Sequence, residues 1–476
     1  MVKHIMKWCV GVFVGFVLVY GAWVGIAMTR TATVSVDYVA KLNEVAAAVP
    51  EADRAWPMYR EASIALMQNE MPSSVFYDND LEEPEWPSEE GWAYFETWLQ
   101  EHIDTLALVR TGANKDGVGL ILQGRVQEED KELWPAQFAS QNDEPYDGSV
   151  LSILLPQLAE MRQMTKLLAC DAKSAAFTGD AERCLLDIES MLFIGTHMRE
   201  HPFLISDLVS FSMYGIAFKT IGEILEHVPT LFSQQQFAQL ERTLIHLDDS
   251  LGLRLIGERY LMYDLLQRVY TDNGNGDGNI IPLESEQMLQ ELDSFSVSDS
   301  SVTSLTPALF APIIDVFASS RKELREEYDR RMDIMEQYIG VPLYELMALP
   351  NAFGEQLHEA PSSTIDPYFL VNLLMPALDQ AILQGEYTRV KRDATLAALY
   401  AVQVFNEVGE WPADLATAGV VDAWSGSPFL IKMKNGSPVL YSVGSNQTDN
   451  GGEHRKDAQK WSSGSTGDWV LWPSPE

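Results

Sequence analysis

Hydrophobic positions along the chain fall into three textures. From Trp8 to Met28 the run WCVGVFVGFVLVYGAWVGIAM contains neither a charge nor a proline. At about 1.5 Å per helical residue it reaches roughly 31 Å, close to a bilayer's hydrocarbon thickness. From there to about residue 410, apolar residues recur in many stretches at steps of three and four, the helical period. Past Trp411-Pro412 periodic leucine gives way to Gly, Ser and Trp interrupted by short apolar runs, a strand texture.

The first run predicts one membrane-spanning helix over residues 8–28, with residues 1–7 as a cytoplasmic tail. Lys3 and Lys7 sit on a segment too short to be a domain, whereas the long remainder is translocated largely regardless of charge, which puts the bulk outside the cytoplasm. A cleaved secretory signal is the other reading. Such signals have a shorter apolar centre and a small-residue cleavage site, and Ala27-Met28-Thr29-Arg30-Thr31 is a poor one. Gly11/Gly15 and Gly21/Gly25 have the small-xxx-small spacing that lets membrane helices approach, so a homodimer through them is an expectation.

The middle texture predicts a helical extracytoplasmic region over 29–389. Helices are expected at Asp37–Val49 and at Pro57–Met67. Trp92, Phe95, Leu99, Ile103 and Leu106 set one aromatic-rich helix face, a core stripe or a carbohydrate platform. Residues 69–90 read as an acidic, Pro-rich loop and 111–149 as a long loop with short elements. From Ser149 a stripe of Leu151, Leu154, Leu158, Met161, Met164 and Leu168 runs to Thr178-Gly179-Asp180, and Leu185, Ile188 and Leu192 continue beyond, a helical hairpin. Further helices are expected at about 203–227, 234–270 (after a Ser233/Gln236 capping box), 320–339 and 368–408, the last kinked at Pro376; 294–306 is a polar loop. On 320–339, Glu326/Arg330 and Glu327/Arg331 are i,i+4 pairs on an exposed face. In the last texture, Phe429–Met433 and Pro438–Val443 flank Asn435-Gly436, a strong hairpin signal, and Trp469–Trp472 can complete a meander. The fold class is thus mainly α, with a small α+β unit at 390–476.

Charge narrows the partners. Thirty-three basic against sixty-nine acidic residues give −36, which repels nucleic acid and anionic membrane surfaces and favours metal cations or basic partners. Cys9 lies in the membrane run, leaving Cys170 and Cys184 either as a disulfide across the helical hairpin or as two thiols.

Three motifs could carry chemistry. Asn273-Gly274-Asn275-Gly276-Asp277-Gly278-Asn279-Ile280-Ile281-Pro282-Leu283-Glu284 resembles an EF-hand loop: oxygen side chains at positions one, three and five, glycine at six, an aliphatic at eight and glutamate at twelve. Asn273, Asn275, Asp277, the Asn279 carbonyl and bidentate Glu284 are the candidate calcium ligands. Asn273 stands where aspartate is usual, Ile281 takes the ninth position, and Asp272 can supply part of the missing charge. A polar, glycine-rich turn is the alternative. Residues 390–476 resemble the globular part of type II secretion major pseudopilins, with Glu410-Trp411-Pro412, Asp422-Ala423-Trp424-Ser425-Gly426, Tyr441-Ser442-Val443-Gly444 and Asp468-Trp469 in that order. The resemblance implies calcium in the loop after the tyrosine strand, at Asn446, Asp449 and Asp468. It departs at the N-terminus, which has no prepilin peptidase site. Third, His197-Met198-Arg199-Glu200-His201 matches H-x-x-E-H, a zinc-peptidase signature; surface or capping histidines are the alternative. No G-x-S-x-G elbow, Walker A loop, Rossmann fingerprint or C-x-x-C pair occurs. The expectation is a membrane-anchored, calcium-binding extracytoplasmic protein that binds or organises envelope components, with a zinc metallopeptidase and a pilus-like assembly accessory as alternatives.

Overall fold

The computed structural model describes residues 2–68, 86–141, 148–247, 251–282, 284, 318–349, 367–375, 378–461 and 466–474, with backbone only at 2–12, 369, 373 and 374. The 294–306 loop, most of the 69–90 loop and the expected kink at Pro376 lie outside these residues. Among them sixteen helices account for a 60% helical content, with one three-stranded antiparallel sheet at the C-terminus.

The chain opens with α1 (Val2–Ala27). The expected 37–49 helix is instead two short ones, α2 (Tyr38–Leu42) and α3 (Glu44–Ala48). Asn43 separates them because its side chain is recruited elsewhere: Nδ2 donates to the Leu122 carbonyl at 2.8 Å and Oδ1 accepts from the Leu122 N–H at 2.7 Å. After α4 (Trp56–Gln68), the aromatic stripe is split at His102 into α5 (Trp92–Glu101) and α6 (Ile103–Ala113). Trp92, Phe95, Leu99 and Leu106 are buried, so the stripe is core, while Ile103 points outward. Among its described residues the 111–149 stretch carries the end of α6, a short helix α7 (Pro135–Ser140) and a 3-10 turn.

The centre is the expected hairpin, α8 (Gln157–Thr178) and α9 (Ala181–Met198). Gly179 ends α8 in the left-handed region at φ 79°, and the Asp180 side chain caps α9 by accepting from the Arg183 N–H at 3.1 Å. Leu151 and Leu154 precede the helix, because it starts after Pro156. Helix α10 (Leu204–His227) packs on both members of the hairpin. Gly195 permits that approach, since a Cβ there would lie 2.5 Å from the Tyr214 ring. The capping box forms at Ser233/Gln236, but the helix it starts, α11 (Gln234–His246), ends well short of 270, and α12 (Ile256–Val269) is separate. Next come α13 (Arg321–Glu336), α14 (Leu343–Met347), α15 (Phe369–Leu374) and α16 (Leu378–Val408). On α13 Glu327 takes both Arg330 (2.8 Å) and Arg331 (2.6 Å), while Glu326 faces Lys322 at 3.7 Å. Arg331 is buried, with Nη1 donating to Asn372 Oδ1 at 2.6 Å, so this face is partly an interface rather than wholly exposed.

Among the described residues the helix long and apolar enough to cross a membrane is α10, not the N-terminal one; 61% of its most apolar stretch is buried. Its position explains its composition. A helix surrounded by others is apolar all round, and its two buried acids are paired, Asp207 with Arg254 (2.6 Å) and Glu223 with Lys173 (2.7 Å). Of α1, the residues described with side chains give the shorter apolar stretch Phe13–Ala27.

The sheet is a meander, β1 (Leu430–Lys434), β2 (Ser437–Ser442) and β3 (Trp469–Trp472), with Asn435 and Gly436 in the hairpin turn at φ 51° and 90°. It packs on α16, and Trp472 Nε1 donates to the Gly222 carbonyl of α10 at 2.9 Å. One buried apolar cluster runs from Tyr38 to Trp472. A boundary at residue 390 would fall inside α16.

Candidate functional site

The 273–284 segment leaves α12 at Tyr270 and returns on itself. Tyr270 and Ile280 form an antiparallel bridge, the Thr271 N–H donates to the Asn279 carbonyl at 3.0 Å, and the Ile281 N–H donates to the Val269 carbonyl at 2.8 Å. Inside this hairpin the short polar side chains hold the backbone. Asp272 Oδ1 accepts from Gly274 (2.8 Å) and Gly276 (3.3 Å); Asn273 Oδ1 accepts from Asn275 (2.9 Å) and Asp277 (3.4 Å). Gly274 and Gly276 take the left-handed φ values, 86° and 78°. Gly278, the sixth loop position, is glycine for another reason: a Cβ would fall 2.0 Å from the Thr271 carbonyl oxygen.

The loop rests on the start of α13. Asp277 Oδ1 accepts from the Lys322 N–H at 3.3 Å, Arg321 Nη1 meets Asp272 Oδ2 at 2.9 Å, and the Arg321 N–H donates to the Gly278 carbonyl at 3.1 Å. Asp272 and Asp277 are both held below the usual carboxylate range, Asp272 first by the Gly274 N–H and Asp277 first by hydrogen bonding with Ser320. Asn273, Asn275 and Asp277 thus share one turn. Glu284 lies on the other side of buried Ile280, Ile281 and Pro282 and is exposed. Sequence reading missed Arg321 as the loop's counter-charge; the capping box Ser320/Glu323 marks that helix start, but nothing local says what the start would face.

The C-terminal candidates do come together. Asp468 is fully buried: both oxygens accept from the Asn450 N–H at 3.1 Å, and Oδ2 accepts from Gly452 at 2.7 Å. Asn446 Nδ2 donates to Asn450 Oδ1 at 2.8 Å, and Asp449 Oδ1 accepts from Gly451 (2.7 Å) and from the Tyr441 hydroxyl (3.0 Å). Burial, with the nearby Asp449 charge adding to it, raises Asp468, whereas the Gly451 N–H lowers Asp449. Two carboxylates and an amide therefore lie around one loop. Behind it, buried Asp422 anchors the meander, accepting from the Ser442 hydroxyl at 2.9 Å and the Trp424 N–H at 3.0 Å; burial pushes it up to about 6. Among the described residues no three His, Cys, Asp or Glu side chains are grouped closely enough to hold a metal. Any cation in either loop would draw on amide and backbone oxygens as well.

The H-x-x-E-H segment is neither surface nor helix cap. At the end of α9 it clamps the extended strip 115–120. His197 Nε2 bonds the Lys115 carbonyl at 2.9 Å and its Nδ1 the Tyr59 hydroxyl at 2.8 Å; Glu200 Oε1 accepts from the Gly119 N–H at 2.9 Å; His201 Nε2 bonds the Leu120 carbonyl at 2.9 Å. A ring nitrogen facing a carbonyl carries the proton and has no lone pair for zinc. Desolvation lowers both histidines, His201 to about 4, and raises Glu200. In this structure all three side chains are engaged with that strip, and His197 with Tyr59 as well. Cys170 and Cys184 are likewise not joined; both are thiols, and burial raises Cys184.

Comparison of the chain with protein-family models, with curated proteins and with solved structures gives no match in any of the three.

Proposed function

We propose that the chain is a membrane-anchored, calcium-binding extracytoplasmic protein that binds or scaffolds other envelope components. The observation that carries the anchor is α1: Phe13, Phe16, Leu18, Val19 and Ile26 are each more than 60% exposed along a run with no charge. Apolar side chains all round a helix that the body leaves uncovered need a non-aqueous surrounding. The apolar α10 has its surrounding already, in the protein. Gly15, Gly21 and Gly25 have open space where a Cβ would stand, which supports close approach of a second copy of α1. Calcium is supported by the two Asn/Asp-rich loops, 272–279 and 446–468. The second loop also favours a related reading, an accessory of a pilus-like assembly acting through residues 390–476, because Asn446, Asp449 and Asp468 lie around one loop beside a meander packed on a helix.

The anchor is tested by carbonate extraction of membranes followed by protease treatment from the non-cytoplasmic side. The full chain is expected to stay in the pellet and lose its C-terminus to protease. Release of intact chain into the supernatant overturns the anchor.

A further inference from the structure

The chain leaves α1 without slack. Helical hydrogen bonding continues past Ala27, with Met28, Thr29 and Arg30 donating to Val24, Ile26 and Ala27 at 3.0, 3.1 and 3.3 Å. The Arg30 guanidinium then donates to the Ile280 carbonyl at 2.8 Å, at the base of the Tyr270–Ile280 hairpin. Five residues on, Gln267 of α12 takes hold of the backbone: Oε1 accepts from the N–H groups of Ser35 (3.1 Å) and Val36 (3.2 Å), and Nε2 donates to the Val36 carbonyl at 2.8 Å. Gln267 is itself buried and fixed by Asp264 Oδ1 at 2.8 Å. Letting go of the linker would leave a buried amide with its oxygen unsatisfied. Residues 30–36 are therefore a clasp fastened at both ends, not a flexible leash.

We infer that this clasp holds the body on its anchor in one orientation, with the Tyr270–Ile280 hairpin against the phospholipid headgroups of the extracytoplasmic leaflet. The inference rests on the anchor proposed above. The uncharged run ends at Met28, and Arg30 is two residues on, about 3 Å further along a helix. A headgroup layer is roughly 5–8 Å thick, so Arg30 and the hairpin base it grips sit at phosphate level. Asn275, five residues from Ile280, is at most about 17 Å from that base. Lys41 lies over the Tyr38 and Tyr260 rings at 5.4 and 5.5 Å, while Arg321, Lys322 and Arg325 of α13 are paired with Asp272, Glu326 and Asp329 at 2.9, 3.7 and 3.8 Å. The clasp, rather than a basic patch, is what brings the hairpin to the headgroups.

The test uses the full chain in vesicles of phosphatidylcholine and phosphatidylglycerol, with Cys9 and Cys170 replaced by alanine and a bimane fluorophore on Asn275→Cys. Cys184 is buried and does not compete for label. A headgroup-nitroxide lipid, a short-range quencher, is expected to quench the bimane strongly. Arg30→Gln and Gln267→Met, made separately, are each expected to lose most of that quenching while still floating with the vesicles. A chain that floats with an unquenched bimane overturns the orientation alone, as does undiminished quenching in both variants. A chain that does not float overturns the anchor and the orientation together. Should a variant fail to fold, the quenching in the chain with its clasp intact still decides.

Discussion

A single carboxylate illustrates how burial converts to a pH effect. Asp422 is buried among donors, and desolvation outweighs the hydrogen bonds of Trp424, Ser442, Ser425 and Val443, lifting it from 3.8 to about 6. Because the folded state holds this proton more tightly than the unfolded one, its contribution is complete below pH 4 and is lost as pH rises towards 6. Asn, isosteric with the neutral acid, has no such loss. Asp422→Asn is therefore expected to gain stability relative to the parent between pH 4 and 6.5, by up to about 3 kcal/mol at 1.36 kcal/mol per pH unit. Urea unfolding across that range checks it, and a difference independent of pH would remove the burial argument. The same scale explains the H-x-x-E-H segment. Its three polar groups satisfy the Lys115, Gly119 and Leu120 backbone groups that the strip's bridge to Arg54 leaves over, and burial lowers both imidazoles.

At the scale of the element, the Tyr270–Ile280 hairpin shows how one polar composition supports two architectures. Glycines and Asx side chains build a calcium cage where ligands converge, and a self-bonded turn where they cap their own backbone. In this structure Asp272 and Asn273 do the capping, and Glu284 stands apart. Calcium binding by the loop, as proposed, draws Glu284 in, so Glu284→Gln is the variant that separates a cage from a turn. At a hundred times its dissociation constant, calcium should stabilise the folded chain by about 2.7 kcal/mol. We expect melting to shift upward in millimolar calcium over chelator, and Glu284→Gln to lose part of that shift and one bound ion by titration. Asp449→Ala, measured separately, should remove the share of the 446–468 loop. Retention of the whole shift and of the ion count in Glu284→Gln assigns no calcium to the hairpin.

For the molecule as a whole, the C-terminal meander shares a core with the helices. Trp472 lies 4% exposed between Trp411, at a ring distance of 5.8 Å, and the α10 backbone. The Tyr344 N–H donates across to the Ala423 carbonyl at 2.9 Å. Trp472→Ala should cost about 3–5 kcal/mol and lower one calorimetric transition for the whole body that follows α1. Two transitions, only one of them moved, would describe a meander that folds by itself. Coherence of this kind is also what turns the fixed linker into a fixed orientation, since a clasp on α12 orients whatever moves with α12.

Local chemistry settled what could be read without coordinates. Gly179-Asp180, the capping box at Ser233/Gln236, Asn435-Gly436 and the α8–α9 stripe from Leu158 onward are decided by φ preference, end-group satisfaction and period, which act within a few residues, and they occur where the sequence puts them. Partners distant in the chain decided the rest. Asn43 breaks a helix because Leu122, seventy-nine residues on, needs its amide. His197 and His201 are spent on carbonyls about eighty residues upstream, and the Asp272 carboxylate meets Arg321 forty-nine residues later. The apolar run of α10 is long and apolar enough to cross a membrane, and its packing against α8, α9 and α16 supplies the surrounding that such a run needs. Composition states what a side chain can satisfy, and tertiary contact decides which group it does satisfy, because the free energy of a buried polar or apolar group depends on what surrounds it.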